Sequence, residues 1–313
     1  MTLFRVFAAT FLLVSLVVLN SPTFAVGHTS NNPFGFIHRL EGSRRGQSIE
    51  GLRDAKHYLQ KFGYYLNDDH KDTNVATTTT HQNDDEFDEF LEAAIKRYQL
   101  THRIPVSGAL DRATTAQMMI PRCGVSDHGL VVMTVLLAED QNKSEDYRFF
   151  KGKPKWNKNH LRYKFPKSNP PAGLKEATIK AAVARAFRSW ENVTELTFEN
   201  VGGRAKADMQ ISFYSRDHGD GFPFDGPNGT TAHAFQPRYG RLHYDADEKW
   251  SDDPSPMEMD LESIGVHEIG HTLGLLHSDD EAAIMYPYLN YGQIKRKLQS
   301  ADVKGIRKLY GLP

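Results

Sequence analysis

The chain has little cysteine, few long apolar runs and almost no net charge, and each shortage closes off a class of answers. Its 313 residues include one cysteine, Cys123. A disulfide framework within the chain is excluded, so the fold has to rest on buried apolar side chains. At this length there is room for two domains, and 39% hydrophobic with 25% charged residues is the composition of an ordinary globular chain. A formal net charge of -1 supplies no broadly basic face, so no nucleic-acid partner is expected. The one long apolar run, Val6 to Leu19, is broken by Thr10 and Ser15 and is shorter than the ~20 residues of a spanning helix. No second run follows, and the C-terminus carries no hydrophobic tail. Neither a transmembrane segment nor a lipid anchor of the GPI type is expected. No internal repeat is present.

What is there begins with that apolar run. Arg5 precedes it, and Thr23-Phe24-Ala25 follows as a small-residue cleavage site. Residues 1–25 read as a signal peptide, and the protein is expected to be secreted. Cys123 then has nothing to pair with. A buried free thiol, an intermolecular disulfide and a metal-bound thiolate all remain open.

The stretch that organises the rest is His267-Glu268-Ile269-Gly270-His271-Thr272-Leu273-Gly274-Leu275-Leu276-His277. On a helix, His267 and His271 leave the same face, and two imidazoles at that spacing reach one zinc. Glu268 sits beside them as a base. Gly274 can end the helix in a left-handed turn and bring His277 round as a third ligand. Three neutral histidines leave one tetrahedral position open, as a catalytic zinc needs.

With Met285-Tyr286-Pro287 downstream, this stretch resembles the metzincin zinc proteases. Pro121-Arg122-Cys123-Gly124-Val125-Ser126-Asp127 resembles the cysteine-switch motif of one branch, the matrixins, with Ser126 in place of the usual proline. The short form resembles secreted plant matrixins without a hemopexin domain. The resemblance implies a zinc endopeptidase made as a latent precursor. Cys123 would be a fourth ligand to the catalytic zinc, and the chain's own propeptide the inhibitor. An Arg122–Asp127 ion pair would hold the switch loop.

Read in order, residues 31–46 look like loop. Helices are expected over Ser48–Lys61 (Leu52, Ala55, Tyr58, Leu59 and Phe62 inward), Asp85–Leu100 and, with Asp111 as N-cap, Asp111–Met119. Residues 67–85 read as a Thr- and Asp-rich loop, and 126–145 as a linker. This three-helix bundle, within a propeptide over 26–146, resembles peptidoglycan-binding modules. A catalytic domain over 147–313 follows. Its strands are expected at Leu161–Phe165, Leu196–Val201, Asp208–Tyr214, Thr231–Phe235 and Arg241–Tyr244. Its helices are expected at Leu174–Trp190, Glu258–Gly274 and Ser300–Tyr310, the last with Val303, Ile306 and Leu309 inward. The pattern indicates α+β, and the resemblance implies a five-stranded mixed sheet with three helices.

A second group, His218, Asp220, His233 and His243, would fill four positions of a structural zinc. Asp225, Gly226, Asn228, Thr230, Asp245 and Glu248 resemble the matrixin calcium loop, with carboxylates and backbone oxygens for a hard cation. A further calcium ligand, Asp208, is matched, but Arg241 and Ala246 stand where the family has Asp. The strand over Thr231–Phe235 would pair with extended peptide or protein substrates. Ser263 occupies a position lining the depth of the S1′ pocket in matrixins, and Leu289 replaces a wall Tyr. Together these point to cleavage before large hydrophobic residues in extracellular or cell-wall proteins. Asn142 and Asn192 begin sequons that a secreted protein exposes to glycosylation; a third, at Asn228, lies in the calcium loop. The alternatives are a cell-wall binding module with a silent catalytic half, and an amidase acting on cell-wall peptides.

Overall fold

A computed structural model describes residues 32–65, 84–128, 146–167, 169–202 and 205–313. The expected signal peptide, the Thr-rich stretch, most of the linker and the sequon at Asn142 lie outside the described residues.

The N-terminal unit contains α1 (Leu52–Lys61), α2 (Glu89–Thr101) and α3 (Arg112–Met118). All five residues of the expected α1 stripe are buried, facing Phe87, Leu91, Ile95 and Tyr98. Three expectations need correction. Residues 31–46 are not all loop: Gly35–Leu40 is a 3-10 helix that buries Ile37 and Leu40 beneath the bundle. α1 begins at Leu52 rather than Ser48, because Ser48 bridges to Glu86 and Asp85 Oδ1 accepts from the N–H groups of Gly51 and Arg53, 3.0 Å each. The cap thus comes from a segment far along the chain. α2 begins at Glu89, capped by Asp88 on Leu91 N at 2.7 Å. Asp111 caps α3 as expected, on Thr114 N at 2.9 Å.

Two residues of the next segment, Arg122–Cys123, form strand β1. The C-terminal unit follows with β2 (His160–Lys164), α4 (Glu176–Glu191), β3 (Thr197–Asn200), β4 (Met209–Tyr214), β5 (Thr230–Ala234) and β6 (Arg241–Asp245). A small pair, β7 (Trp250–Ser251) with β8 (Met259–Asp260), precedes α5 (Leu261–Leu273), and α6 (Ser300–Tyr310) ends the fold. The five expected strands and three helices are present, and β1 adds a sixth strand in the order β1-β5-β6-β4-β2-β3. Only the β5–β6 pair is antiparallel within this mixed sheet. α4 buries Ile179, Val183, Ala186, Phe187 and Trp190. Trp190 Nε1 donates to Val266 O at 2.9 Å, tying α4 to α5.

α5 starts at Leu261 rather than Glu258. Met259 and Asp260 are taken by the strand pairing with Trp250–Ser251, and Asp260 then caps the helix on Ser263 N at 2.9 Å. On α6, Val303 is only half-buried and Asp302 lies inside instead. Its carboxylate accepts from Ile284 N at 2.9 Å and Met285 N at 3.0 Å, so the helix N-terminus clamps the turn that carries Met285.

Candidate active site

α5 carries His267, Glu268 and His271 on buried faces and ends at Gly274, whose φ of 112° no β-carbon residue adopts comfortably. A Cβ there would also lie 2.4 Å from Pro154 O. The reversal returns His277 to the same point. His271 Nε2 lies 3.1 Å from His267 Nε2 and 3.2 Å from His277 Nε2. Cys123 Sγ completes the group at 3.5 Å from His271 Nε2.

The hydrogen bonds on the far side of each ring decide what this cluster is. His267 Nδ1 faces Ile284 O at 2.8 Å, and His271 Nδ1 faces Leu275 O at 2.8 Å. His277 Nδ1 faces Asp127 Oδ1 at 2.6 Å. Each of these oxygens can only accept, so each Nδ1 carries the proton and each Nε2 presents a lone pair. Burial holds all three rings below the usual imidazole range, with the neighbouring rings adding to the effect at His267 and His271. Three lone pairs and a thiol aimed at one buried point repel unless a cation joins them. Donors about 2.0–2.1 Å from a tetrahedral zinc stand ~3.4 Å apart, close to the spacing seen. The residues fit zinc.

Glu268 is fully buried, and neither carboxylate oxygen has a hydrogen-bond partner. Burial pushes it up to about 8. A nearby dication reverses that logic and favours the carboxylate. Burial, with the Glu268 charge adding to it, pushes the Cys123 thiol well above its usual range; metal coordination is what yields a thiolate in such a place. Met285 Sδ packs at Gly270, where a Cβ would be 2.3 Å away, between the two histidine positions of the helix.

The switch segment runs through the cleft as a strand. Arg122 N donates to Gly229 O at 3.0 Å and Gly124 N to Ala232 O at 2.8 Å on one side; Cys123 N donates to Pro287 O at 2.9 Å on the other. The edge of β5 expected for substrate is therefore covered by the chain's own backbone. Gly124 has no room for a side chain, since a Cβ would sit 2.6 Å from Thr230 Cγ2. Arg122 and Asp127 pair at 2.5 Å, both buried, and the guanidinium lies over the Phe62 ring at 3.6 Å.

Beside the metal cluster a small, partly open pocket is lined by Cys123, Ser263, His267, Ile284, Tyr286, Leu289 and Lys295, among others. Ser263 does more than leave space: its hydroxyl donates to Asp260 and accepts from Lys295 N at 2.7 Å, fastening the pocket loop to the helix start.

The outer group also converges. Asp220 Oδ2 lies 2.9 Å from His218 Nε2, 2.8 Å from His233 Nε2 and 2.9 Å from His243 Nδ1. Burial alone raises the Asp220 carboxyl, but the His233 bond and the neighbouring ring charges outweigh it and hold it low. Burial brings His243 down to about 4. These two groups bring their donor atoms within 4.8 Å of one another; Asp225, Asp245 and Glu248 are not grouped that tightly among the described residues. They still act on each other. Burial first, then carboxylate repulsion, raises Asp245 to about 7 and Glu248 to about 8. Asp245 Oδ2 is buried without a partner. Asp208 pairs with Lys158 at 2.7 Å.

Sequence reasoning missed Asp302, Lys295, the bond from Asp127 to His277, and a buried aromatic seam between the two units. In that seam Tyr64 OH donates to Asp127 Oδ2 at 2.6 Å, and Tyr98 OH meets Tyr288 OH at 2.8 Å. The one available signal was Tyr58 and Tyr98 on otherwise apolar stripes.

Two family models match the chain: "Matrixin" over residues 155–311 and "Putative peptidoglycan binding domain" over 48–118. Metalloendoproteinase 1-MMP of Arabidopsis thaliana is 41% identical over 289 residues, covering 91% of this chain and 75% of that protein. Metalloendoproteinase 1 of Glycine max is 40% identical, covering 85% and 84%. Stromelysin-2 of Rattus norvegicus is 38% identical, covering 66% and 40%. With the metal-fitting cluster, the buried carboxylate and these relatives together, the chain belongs to the matrixins and is a zinc metalloendopeptidase preceded by a helical propeptide domain.

Proposed function

We propose that the protein is a secreted endopeptidase made as a latent precursor, with His267, His271 and His277 holding the catalytic zinc and Cys123 closing its fourth position. The observation that carries this reading is the Cys123 sulfur, 3.5 Å from His271 Nε2 at the point where three histidine lone pairs converge. Bound zinc polarises a scissile carbonyl and lowers the pKa of its water. Glu268 is placed to take a proton from the attacking water and would return it to the leaving amine. Once residues 121–124 leave, the edge of β5 is free to pair with an extended peptide. The cavity bounded by Ile284, Tyr286 and Leu289 receives a large apolar side chain following the cut bond, in extracellular or cell-wall proteins.

His218, Asp220, His233 and His243 would hold a structural zinc. Asp225, Asp245 and Glu248, with the Gly226, Asn228 and Thr230 carbonyls, would hold calcium, which relieves the raised carboxylates. The activating cut would fall between about Asn142 and Phe149. Leu276 N already donates to Arg148 O at 2.8 Å and Phe149 bridges to Leu275, which supports placing residues 148 and 149 with the catalytic domain.

The test is Cys123→Ser in the full precursor with a quenched fluorescent peptide. The variant should cleave it without activator, and the unaltered precursor only after a thiol reagent or protease is added. Equal silence in both would reduce Cys123 to a buried thiol.

A further inference from the structure

The three zinc-facing histidines are not oriented alike. His267 and His271 give their Nδ1 protons to backbone carbonyls of the catalytic domain itself, Ile284 O and Leu275 O. His277 gives its proton to Asp127, a side chain of the switch segment, at 2.6 Å. Both residues are about 1% exposed. The carboxylate is held from every side. Oδ1 also accepts from Arg122 Nη2 at 2.5 Å, and Oδ2 accepts from Tyr64 OH at 2.6 Å with His102 Nε2 at 3.7 Å. Asp127 N donates to Phe62 O at 3.1 Å. Such a carboxylate cannot drift from the ring it orients.

A carboxylate on the outer nitrogen of a metal-bound histidine fixes the ring and makes the inner nitrogen a better donor, and its loss typically lowers metal affinity ~10–100-fold. We propose that Asp127 is a positioning residue for the zinc site: the propeptide lends the metal centre an orienting carboxylate on His277 as well as a thiolate. Removal of the propeptide therefore takes two supports from the centre. The latent form holds zinc more tightly than the sulfur alone accounts for, and the mature enzyme is the weaker holder. The Arg122–Asp127 pair is then more than a brace for the loop, because its Oδ1 is shared between the guanidinium and the imidazole.

The inference rests on the three histidines being the zinc ligands, and the experiment separates the two. The parent is the full precursor carrying Cys123→Ala, which removes the thiolate, and Glu268→Ala, which prevents self-cleavage. Zinc affinity is measured by equilibrium competition with a chromophoric chelator. The relevant equivalent is identified as the one lost in His271→Ala. If His271→Ala loses no equivalent, the ligand assignment fails. Adding Asp127→Ala should weaken that equivalent ~10–100-fold, and Asp127→Asn, which keeps an acceptor oxygen without the charge, should recover part of it. Because the thiolate is already gone, a propeptide that merely loosens leaves affinity unchanged. Equal affinities in the parent and both Asp127 variants would overturn the proposal. Asp127→Asn, being isosteric, serves if the alanine variant does not fold.

Discussion

The two histidine clusters share ligand types and differ in where the last ligand comes from. The outer one draws all four donors from the single stretch between His218 and His243, with Asp220 Oδ2 within 2.9 Å of all three rings. Its carboxylate, its rings and the β5–β6 hairpin belong to one domain, so removal of the N-terminal unit would exchange nothing there. The inner cluster would take three donors from α5 and its return loop and the fourth, Cys123, from another unit of the fold. On the proposed reading, a centre whose last ligand sits on a removable segment can be opened, while a centre complete within one domain can only brace it. Beside the inner cluster stands Glu268, a carboxylate that is fully buried.

The largest test of that contrast is Glu268→Ala in the processed enzyme. Turnover should fall ~10²–10⁴-fold with zinc content unchanged, because the residue serves the water and not the metal. Near-normal proteolysis would make the inner cluster as inert as the outer one. Next comes Asp220→Ala. It should lose one zinc equivalent and lower Tm by on the order of 10 °C, the scale of losing a tightly bound ligand, while the folded fraction still cleaves peptide. Loss of turnover at full stability would erase the distinction. Smallest is calcium removal at constant zinc. Tm should drop by a few degrees, about what one or two kcal/mol produces in a domain of this size. An unchanged Tm would leave Asp245 and Glu248 as a buried carboxylate pair that holds no ion.

Much of this contrast was legible in the sequence where a local spacing carried it. His267, Glu268, His271, Gly274 and His277 lie on one helix and its turn, so helix geometry alone brings them together. The α4 stripe and the Asp111 cap are likewise local. What escaped was set by contacts across the chain. Asp85 caps a helix more than thirty positions earlier in the chain, so the start of α1 could not be placed from Ser48 onward. Asp302 reads as an ordinary acidic residue in a first helical turn until the Met285 turn is seen to donate to it. Ser263 looked like spare volume, whereas it is a hydrogen-bonded fastener for Lys295. The sixth strand is two residues long and exists only because β5 offers it an edge.

If activation is the cut proposed above, the attachment of Arg148 and Phe149 to the catalytic domain changes what it demands. Arg148 already pairs with Asp279, so a cut before Asp146 leaves those contacts in place and only alters connectivity. On the proposed reading, the inhibitory segment before the cut would be tethered and act at the millimolar effective concentration typical of a short linker. Afterwards the same segment is a separate molecule and follows mass action. Latency then depends on how quickly the released fragment is diluted, and in a confined compartment the fragment would continue to inhibit for as long as it stayed close by.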